Sequence, residues 1–474
     1  MNNTSSTPTH CPNCERLQAR VKALEAEVQE LKILVRELTA RLQQNSSNSS
    51  KPPSSDNPLQ KIPQSKSKSD RRPGGQPGHM GCTRKPFPKE MVSDVQIHLP
   101  LKCGECGHDL PKRAGKKDPK PQLHQVVEIP PLKPEIIEHQ VEGRCCPSCG
   151  KVTWGSLPEV VCGSFGPRLA GLVAFLSGRC QMSKRVIQEV LEGLLGVRMA
   201  LGSLNAKERE VSESLRESWA EAKKAVRQAP IKNADETGWY QSGDLKWLWI
   251  GTTEQVAVFQ VQDHRNQEAM KELLGENPEG VVGSDRFGAY TPIPLEQRQL
   301  CWAHLKRDWQ GLVDGGSPKG IRVGKGCLRV LQKVFEEWGR YGAGEIGRKG
   351  LGRRMEPLKA RMKRWLKRGR EGPTDETSRV CSRVMKLYEA YWTFVKVEGV
   401  EPTNNLAERD LRTAVLWRKR SYGNRSPEGC RFTERVLTAV QTLRKQKRNV
   451  LDYLAEAVAA LRMGRKAPSL LSLA

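Results

Sequence analysis

The sequence predicts a multidomain α+β chain. Three observations carry that prediction: an apolar heptad near the start, two matched C-x-x-C-G elements in the first third, and a switch to strand periodicity after Pro230 that turns helical again near residue 311. At 474 residues the chain is too long for one ordinary core. It carries 79 Lys and Arg against 53 Asp and Glu, a net charge of +26. Such an excess attracts polyanions, of which nucleic acid is the commonest. No long apolar run or amphipathic terminal anchor points to a membrane, and the polar start from Met1 to His10 does not read as a secretory signal. Several of the fourteen cysteines come as C-x-x-C pairs, which without a signal reads as metal binding in a reducing compartment rather than disulfides.

Leu17, Val21, Leu24, Val28, Leu31, Val35, Leu38 and Leu42 repeat in alternating steps of four and three. Val mostly fills a and Leu fills d, the pattern of a parallel two-stranded coiled coil. Arg20 with Glu25, and Glu27 with Lys32, occupy g and the following e, where they attract across a dimer. Residues 10–45 are therefore expected to form a coiled-coil dimerisation segment; the alternative is an amphipathic helix packed on its own chain. Cys11 and Cys14 make one C-x-x-C pair, and a tetrahedral zinc site needs two, which a dimer would bring together. Residues 46–100, rich in Ser, Pro, Gly, Lys and Arg, read as a flexible basic linker, either a plain tether or one that tracks phosphates.

Residues 101–155 read as a zinc ribbon. Cys103-Gly-Glu-Cys106-Gly107 and Cys146-Pro-Ser-Cys149-Gly150 each place two thiolates on one turn, with a glycine that lets the backbone curl behind the sulfurs. Zn²⁺ held by Cys103, Cys106, Cys146 and Cys149 would supply roughly 10–16 kcal/mol of apparent folding energy. Short strands are expected around His124 to Pro130 and Ile136 to Val141. Cys145 is a rival to Cys146 that loses the matched spacing. His108 is a rival ligand whose ordinary role is a surface imidazole. Cys82 and Cys162 lack partners at ligand spacing.

Residues 160–228 are helical in pattern. Ser183 suits an N-cap for a helix to Leu195, Gly196 breaks it, and a second helix begins near Gly202-Ser203-Leu204. That layout is either a DNA-binding helix-turn-helix or an ordinary helical hairpin. Strands are then expected at Ile231 to Trp239, Lys246 to Thr252, Val256 to Val261, Gly280 to Asp285 and Gln299 to His304, with a helix at Glu268 to Leu274. Three strands, a helix and a strand begin an RNase-H-like fold. Its first part is assigned to 229–310, a very basic helical insertion to 311–399, and its second part to 400–465, with helices at Asn404 to Arg420 and within Glu434 to Arg462.

Asp235 lies inside the first of those strands and Asp285 closes the fourth; in such a fold these two strands are neighbours. Two close carboxylates repel, and a divalent cation relieves them. Glu408 lies on the later helix that crosses the same place. Three oxygen ligands with open positions suit Mg²⁺ or Mn²⁺ and two-ion phosphoryl chemistry. Each acid also has a bland alternative. Asp235 could belong to a turn, Glu236 alternates to the opposite face of the strand, and Glu408 sits among Glu401 and Asp410 with Arg409 and Arg412 to pair with it or with phosphate. Helical spacing puts Asn404, Glu408 and Leu411 on one side.

The ordered motifs give the chain a family likeness. They are Asn45-Ser-Ser-Asn48 through Asp56 after the heptads, Arg72-Pro-Gly-Gly-Gln-Pro-Gly-His79, the paired knuckles, Asp235-Glu-Thr, Ser284-Asp285-Arg-Phe-Gly-Ala-Tyr290, Cys301-Trp-Ala-His304 and Asn404-Asn405-Leu-Ala-Glu408-Arg. Over nearly its whole length the chain resembles the insertion-sequence-66 family of bacterial DDE transposases. The resemblance implies that Asp235, Asp285 and Glu408 are the catalytic, metal-holding triad. It implies cleavage of transposon terminal inverted repeats and joining to target DNA with Mg²⁺. It also implies small accessory proteins from the same element and a bacterial cytoplasmic, nucleoid-associated location. Cys301 and His304 match a family element whose role reads as structural beside the active site, with a zinc pair as the alternative. Lys306 and Arg307 beyond it are expected to contact phosphate, as are Arg409, Arg412, Arg418, Lys419 and Arg420. The basic stretch from Arg418 through Gly423 to Gly429 is less aromatic than the family's. Two rival functions remain: a nuclease of the same fold that cuts without joining, and a non-catalytic DNA-binding regulator.

Overall fold

The computed structural model describes residues 12–42, 85–113, 115, 118–159, 161 and 163–471. Cys11, most of the basic linker with its two family motifs, Cys82 and Cys162 lie outside the described residues. The described chain is a mixture of helix and sheet that falls into two compact units. The smaller takes the residues within Ser65–Ile137 and Val190–Val197. The larger takes those within Glu138–Glu189 and Arg198–Ala474, together with helix α1 (Pro12–Leu42). Along α1, Leu17, Val21, Leu24, Val28, Leu31 and Val35 are all exposed, a continuous apolar stripe.

Each cysteine knuckle folds by the same local rule. In the smaller unit Cys103 N–H donates to the His108 carbonyl at 2.8 Å, and Gly107 N–H donates to the Cys103 carbonyl at 3.0 Å. In the larger unit Cys146 N–H donates to Lys151 at 2.8 Å, and Gly150 N–H to Cys146 at 2.9 Å. Gly107 and Gly150 have φ of +72° and +71°, the left-handed backbone for which glycine has no steric cost. The second knuckle is the turn between strands β1 (Gly143–Cys145) and β2 (Val152–Trp154), paired antiparallel. The strands expected at 124–130 and 136–141 do not form. Val126, Ile129, Ile136 and Ile137 are exposed there, because an alternating segment becomes a strand only when another backbone pairs with it.

Helices α2 (Pro167–Ala174), α3 (Lys184–Leu195), α4 (Leu201–Ser214) and α5 (Arg216–Gln228) follow. Gly196, at φ +67°, ends the turn after α3. One face of α4 is buried against α2 and the late helices; Asn205 and Arg209 remain exposed.

The sheet follows: β3 (Ile231–Gln241), β4 (Asp244–Thr252), β5 (Ala257–Gln262), helix α6 (Gln267–Leu274), β6 (Val281–Ser284) and β7 (Arg298–Leu300). The spatial order is β5-β4-β3-β6-β7. The first three strands form an antiparallel meander, and β6 and β7 add parallel to β3. Burial alternates along β3, with Lys232, Ala234 and Glu236 inside and Asn233, Asp235 and Thr237 partly open.

The fifth strand ends earlier than its sequence suggested. Cys301 to His304 do not extend β7; Cys301 is instead the N-cap of helix α7 (Trp302–Asp314). Trp302, Leu305, Trp309 and Leu312 recur at helical spacing and all face inward, so helical packing wins over the short strand pattern. Helices α8 (Pro318–Gly342), α9 (Arg348–Arg370), α10 (Glu376–Lys386) and α11 (Thr393–Lys396) complete a second apolar core that includes Trp302, Trp309, Trp392 and Phe394. The chain then returns to the sheet as α12 (Asn405–Ser421), α13 (Pro427–Lys445) and α14 (Val450–Arg462). α12 packs on β3 and β4, and α13 packs on β5.

Candidate active site

The strand register sets the two aspartates side by side in sequence position. Asn233 on β3 lies opposite Gly283 on β6; Asp235 stands two residues further along β3, and Asp285, expected to close the fourth strand, stands two residues beyond Gly283, just past the end of β6 at Ser284. A Cβ at Gly283 would lie 2.4 Å from the Asn233 amide nitrogen, so only glycine lets that amide lie across the junction. The amide donates to Asn404 Oδ1 at 2.8 Å, and Asn404 Nδ2 donates to the Ala234 carbonyl at 2.9 Å. Asn404 is 1% exposed and is the N-cap residue of α12. Its side chain therefore fastens the start of α12 to β3, one helical turn before Glu408.

Asp235 is half-buried, with other carboxylates and no basic group acting on it. Burial and the neighbouring Glu236 carboxylate push it well above the usual carboxylate range, and Asp285 and Glu408 add to the push; the Glu236 N–H, donating to Oδ1 at 2.9 Å, acts in the opposite direction. Burial also raises Glu408, with Asp285 adding to it and Arg307 opposing. Asp285 accepts from the Phe287 N–H at 2.8 Å, which holds the loop after β6 in a tight turn.

Glu236 points to the other face, as alternation requires, and is buried in a network of its own. Arg265 donates to its Oε1 through Nε at 2.8 Å and Nη2 at 2.6 Å, and Tyr290 donates to Oε2 at 2.6 Å. The Arg265 guanidinium lies 3.7 Å from the Phe287 ring centre. Tyr290 and Phe287 belong to the loop that follows Asp285, so Glu236 anchors that loop beneath the acids. Sequence reasoning missed this role; the Asp-Arg-Phe-Gly-Ala-Tyr run was the signal, since its aromatic residues must find buried partners.

Glu408 faces a second pair. Its Oε1 lies 3.7 Å from His304 Nδ1, and both atoms are buried without a hydrogen-bond partner. Burial, with Arg307 and Arg286 nearby, lowers the His304 pKa to about 4, so the imidazole is neutral at pH 7. Cys301 lies beside them: the donor atoms of Cys301, His304 and Glu408 are all within 4.8 Å of one another. Cys301 Sγ accepts from the Asn404 N–H at 3.2 Å. The structure thus groups Glu408 most closely with Cys301 and His304, and links it to the two aspartates through the shared field of the site.

The basic residues divide. Arg418 donates to Thr237 Oγ1 at 3.0 Å and to the Gly238 carbonyl, so it clamps α12 to β3. Lys306, Arg409, Arg412, Lys419 and Arg420 are exposed, and Arg307 is half-buried. Beside α12 a groove of about 390 Å³ is lined by Arg409, Arg412, Arg444 and Lys445 together with Glu254 and Asp410. Among the knuckle thiols, backbone N–H groups of the turn lower the pKa of Cys103 and of Cys146, which favours the thiolate a metal requires.

Fold and site together define an α+β protein with a mixed five-stranded sheet and an acid-lined centre between sheet and helix. A family model described as the Transposase IS66 family matches residues 163–431, more than half of the chain, and the chain belongs to that family. A family of unknown function, DUF6444, matches residues 6–85. Two proteins of Sinorhizobium fredii (strain NBRC 101917 / NGR234) are similar. "Uncharacterized protein y4qI" is 23% identical over 239 residues, 46% of this chain and 44% of that protein. "Uncharacterized protein y4hP" is 22% identical over 417 residues, 80% of this chain and 74% of that protein. The chain is thus matched to under half the length of the first and about three quarters of the second. Among the described residues no helix is long and apolar enough to cross a membrane.

Proposed function

We propose that the chain is a DNA transposase that cuts the terminal inverted repeats of an insertion sequence and joins them to target DNA, using Asp235, Asp285 and Glu408 on an RNase-H-like core. The observation that carries this reading is the parallel pairing of Asn233 with Gly283, two residues beyond which stand Asp235 on β3 and Asp285 at the end of β6, with Asn404 tying the start of α12 to β3. The donor set suits a divalent cation. Three carboxylates share one field, and Asp235 and Glu408 are hard to ionise. Mg²⁺ or Mn²⁺ held there would neutralise the acids, activate a water or a DNA 3′-hydroxyl for attack on phosphorus, and stabilise the leaving oxygen.

The chain's own groups hold that arrangement. Asn404 fixes α12 against β3, the Glu236–Tyr290–Arg265 network fixes the loop after Asp285, and Arg418 fixes the far end of α12. Lys306, Arg307, Arg409, Arg412, Lys419 and Arg420 supply phosphate contacts that place the backbone to be cut. The cysteine knuckles supply thiolates for Zn²⁺, the apolar stripe of α1 pairs two chains in a parallel coiled coil, and the helices of 160–228 contribute to end recognition. The protein acts in a bacterial cytoplasm on nucleoid DNA, alongside accessory proteins of the same element.

The test is incubation of the full chain with the element's terminal repeats and Mg²⁺, scoring cleavage and joining separately. Cleavage followed by joining is expected, and Asp285→Asn is expected to bind the repeats yet leave them intact. Cleavage by Asp285→Asn would remove the metal assignment, and cleavage without joining would make the protein a nuclease.

A further inference from the structure

Two buried polar atoms that face each other and bond to nothing are a costly arrangement. More than about nine in ten buried polar groups in folded proteins are paired, because an unpaired one forfeits its hydration. His304 Nδ1 and Glu408 Oε1 are such atoms, too far apart at 3.7 Å to hydrogen-bond to each other. Cys301 Sγ completes a triangle whose edges are all within 4.8 Å. In a tetrahedral zinc site, Zn–S of about 2.3 Å and Zn–N or Zn–O of about 2.0–2.1 Å set donor atoms roughly 3.3–3.6 Å apart. The His304–Glu408 edge, at 3.7 Å, is already close to that spacing.

We propose that Cys301, His304 and Glu408 form a second cation site, for a soft or borderline divalent ion of the Zn²⁺ or Co²⁺ type. A thiolate and an imidazole select such ions over Mg²⁺, which prefers oxygen ligands in octahedral array. Cys301 caps α7 and His304 follows three residues later on its first turn, so both project from one helix end, while Glu408 projects from the first turn of α12. Asn404 serves both helices: its side chain ties α12 to β3, and its N–H donates to the Cys301 sulfur. On binding, the Cys301 thiol gives its proton to solvent and the sulfur takes the metal bond in its place. Three protein ligands leave a fourth position for water. The site goes beyond the strand-transfer reading: it shares Glu408 with the acid centre but does not include Asp235 or Asp285, and it stands whether or not the acids cut DNA.

The test uses metal-stripped full chain titrated with Co²⁺ in the presence of excess Mg²⁺, followed by absorption. Wild type is expected to bind one equivalent of Co²⁺ more than His304→Gln or Cys301→Ser. The difference spectrum should carry the near-ultraviolet band of a thiolate-to-cobalt charge transfer. The four knuckle cysteines are present in every sample and cancel in the difference. Circular dichroism confirms the fold of each variant. Cys301 is buried, so His304→Gln, at a less buried position, carries the test if Cys301→Ser unfolds. Equal stoichiometry and superimposable spectra for wild type and folded variants would overturn the proposal. Asp285→Asn separates the two readings: it should lose cleavage while keeping the Co²⁺ equivalent, and loss of that equivalent would overturn this site.

Discussion

The sheet core and the helical insertion solve the same packing problem with opposite materials. Around the sheet, buried positions include Lys232, Glu236, Asn404 and Asp410, each wired to named partners. Lys232 Nζ donates to the carbonyls of Arg227 at 2.6 Å and Ala229 at 2.9 Å, closing the end of α5. Asp410 accepts from Thr252 Oγ1 and Gln441 Nε2 and pairs with Lys445, each at 2.7 Å. The insertion instead centres on aromatic contacts, with Trp302 packed edge-on against Trp392 at 5.0 Å and against Phe394 at 6.3 Å. Its charge lies outside: α9 carries eleven Lys and Arg and one Glu, with Leu351, Met355, Leu358, Met362 and Leu366 on the buried face. The difference is one of material: directional polar bonds, buried at a cost, fix the elements around the sheet, whereas apolar packing beneath a positive surface holds the insertion.

Asp285→Asn should break that contrast most sharply, abolishing Mg²⁺-dependent cleavage while the melting temperature and DNA affinity stay near wild type. A large loss of stability would show that Asp285 holds the fold rather than the chemistry. Trp392→Ala probes the other region. Removing a nearly fully buried indole should cost about 3–5 kcal/mol by denaturant unfolding. A cost under about 1 kcal/mol would show that the aromatic cluster does not hold the insertion. Asp410→Ala strands the Lys445 ammonium, whose side chain is 9% exposed, and should cost a comparable or slightly smaller amount, about 3 kcal/mol. Asp410→Ala at no cost would show that the polar wiring of the sheet core is dispensable.

The smallest effect concerns Glu434, which accepts from the Val261 N–H at 2.6 Å on strand β5. Burial raises its pKa from 4.5 to about 7. The folded chain therefore holds that proton more tightly than the unfolded one, and stability falls as pH rises from about 4.5 through about 7. Glu434→Gln should flatten this part of the stability profile; melting curves across that range with an unchanged slope would contradict the assignment.

Much of the fold could be read before any coordinates. Period-two runs marked β3 through β6 to within a few residues, Asn404 marked the start of α12, and the glycines at 107 and 150 marked the knuckle turns. The misreadings have physical causes. Residues 124–130 and 136–141 alternate like strands, but alternation cannot supply a neighbouring backbone. Cys301 to His304 read as strand because four residues are too few to separate the two periods, and the deciding apolar positions, Leu305, Trp309 and Leu312, lie further along. Within the site, the candidate acids were visible as residue types at suggestive positions, whereas the anchoring of Glu236 by Arg265 and Tyr290 was not.

By itself the sequence determined the local rules: which segments alternate, where helices cap, which cysteines share a turn, and how much positive charge the chain carries. These depend on neighbours within a few positions, so a linear reading reaches them. Only the tertiary structure decided that Asn404 would join β3, α12 and Cys301, that Arg418 would be spent on β3, and that Glu408 would face His304 across 3.7 Å. Those partners lie about a hundred or more positions apart, and no local spacing encodes which distant helix end a folded sheet will bring to its edge.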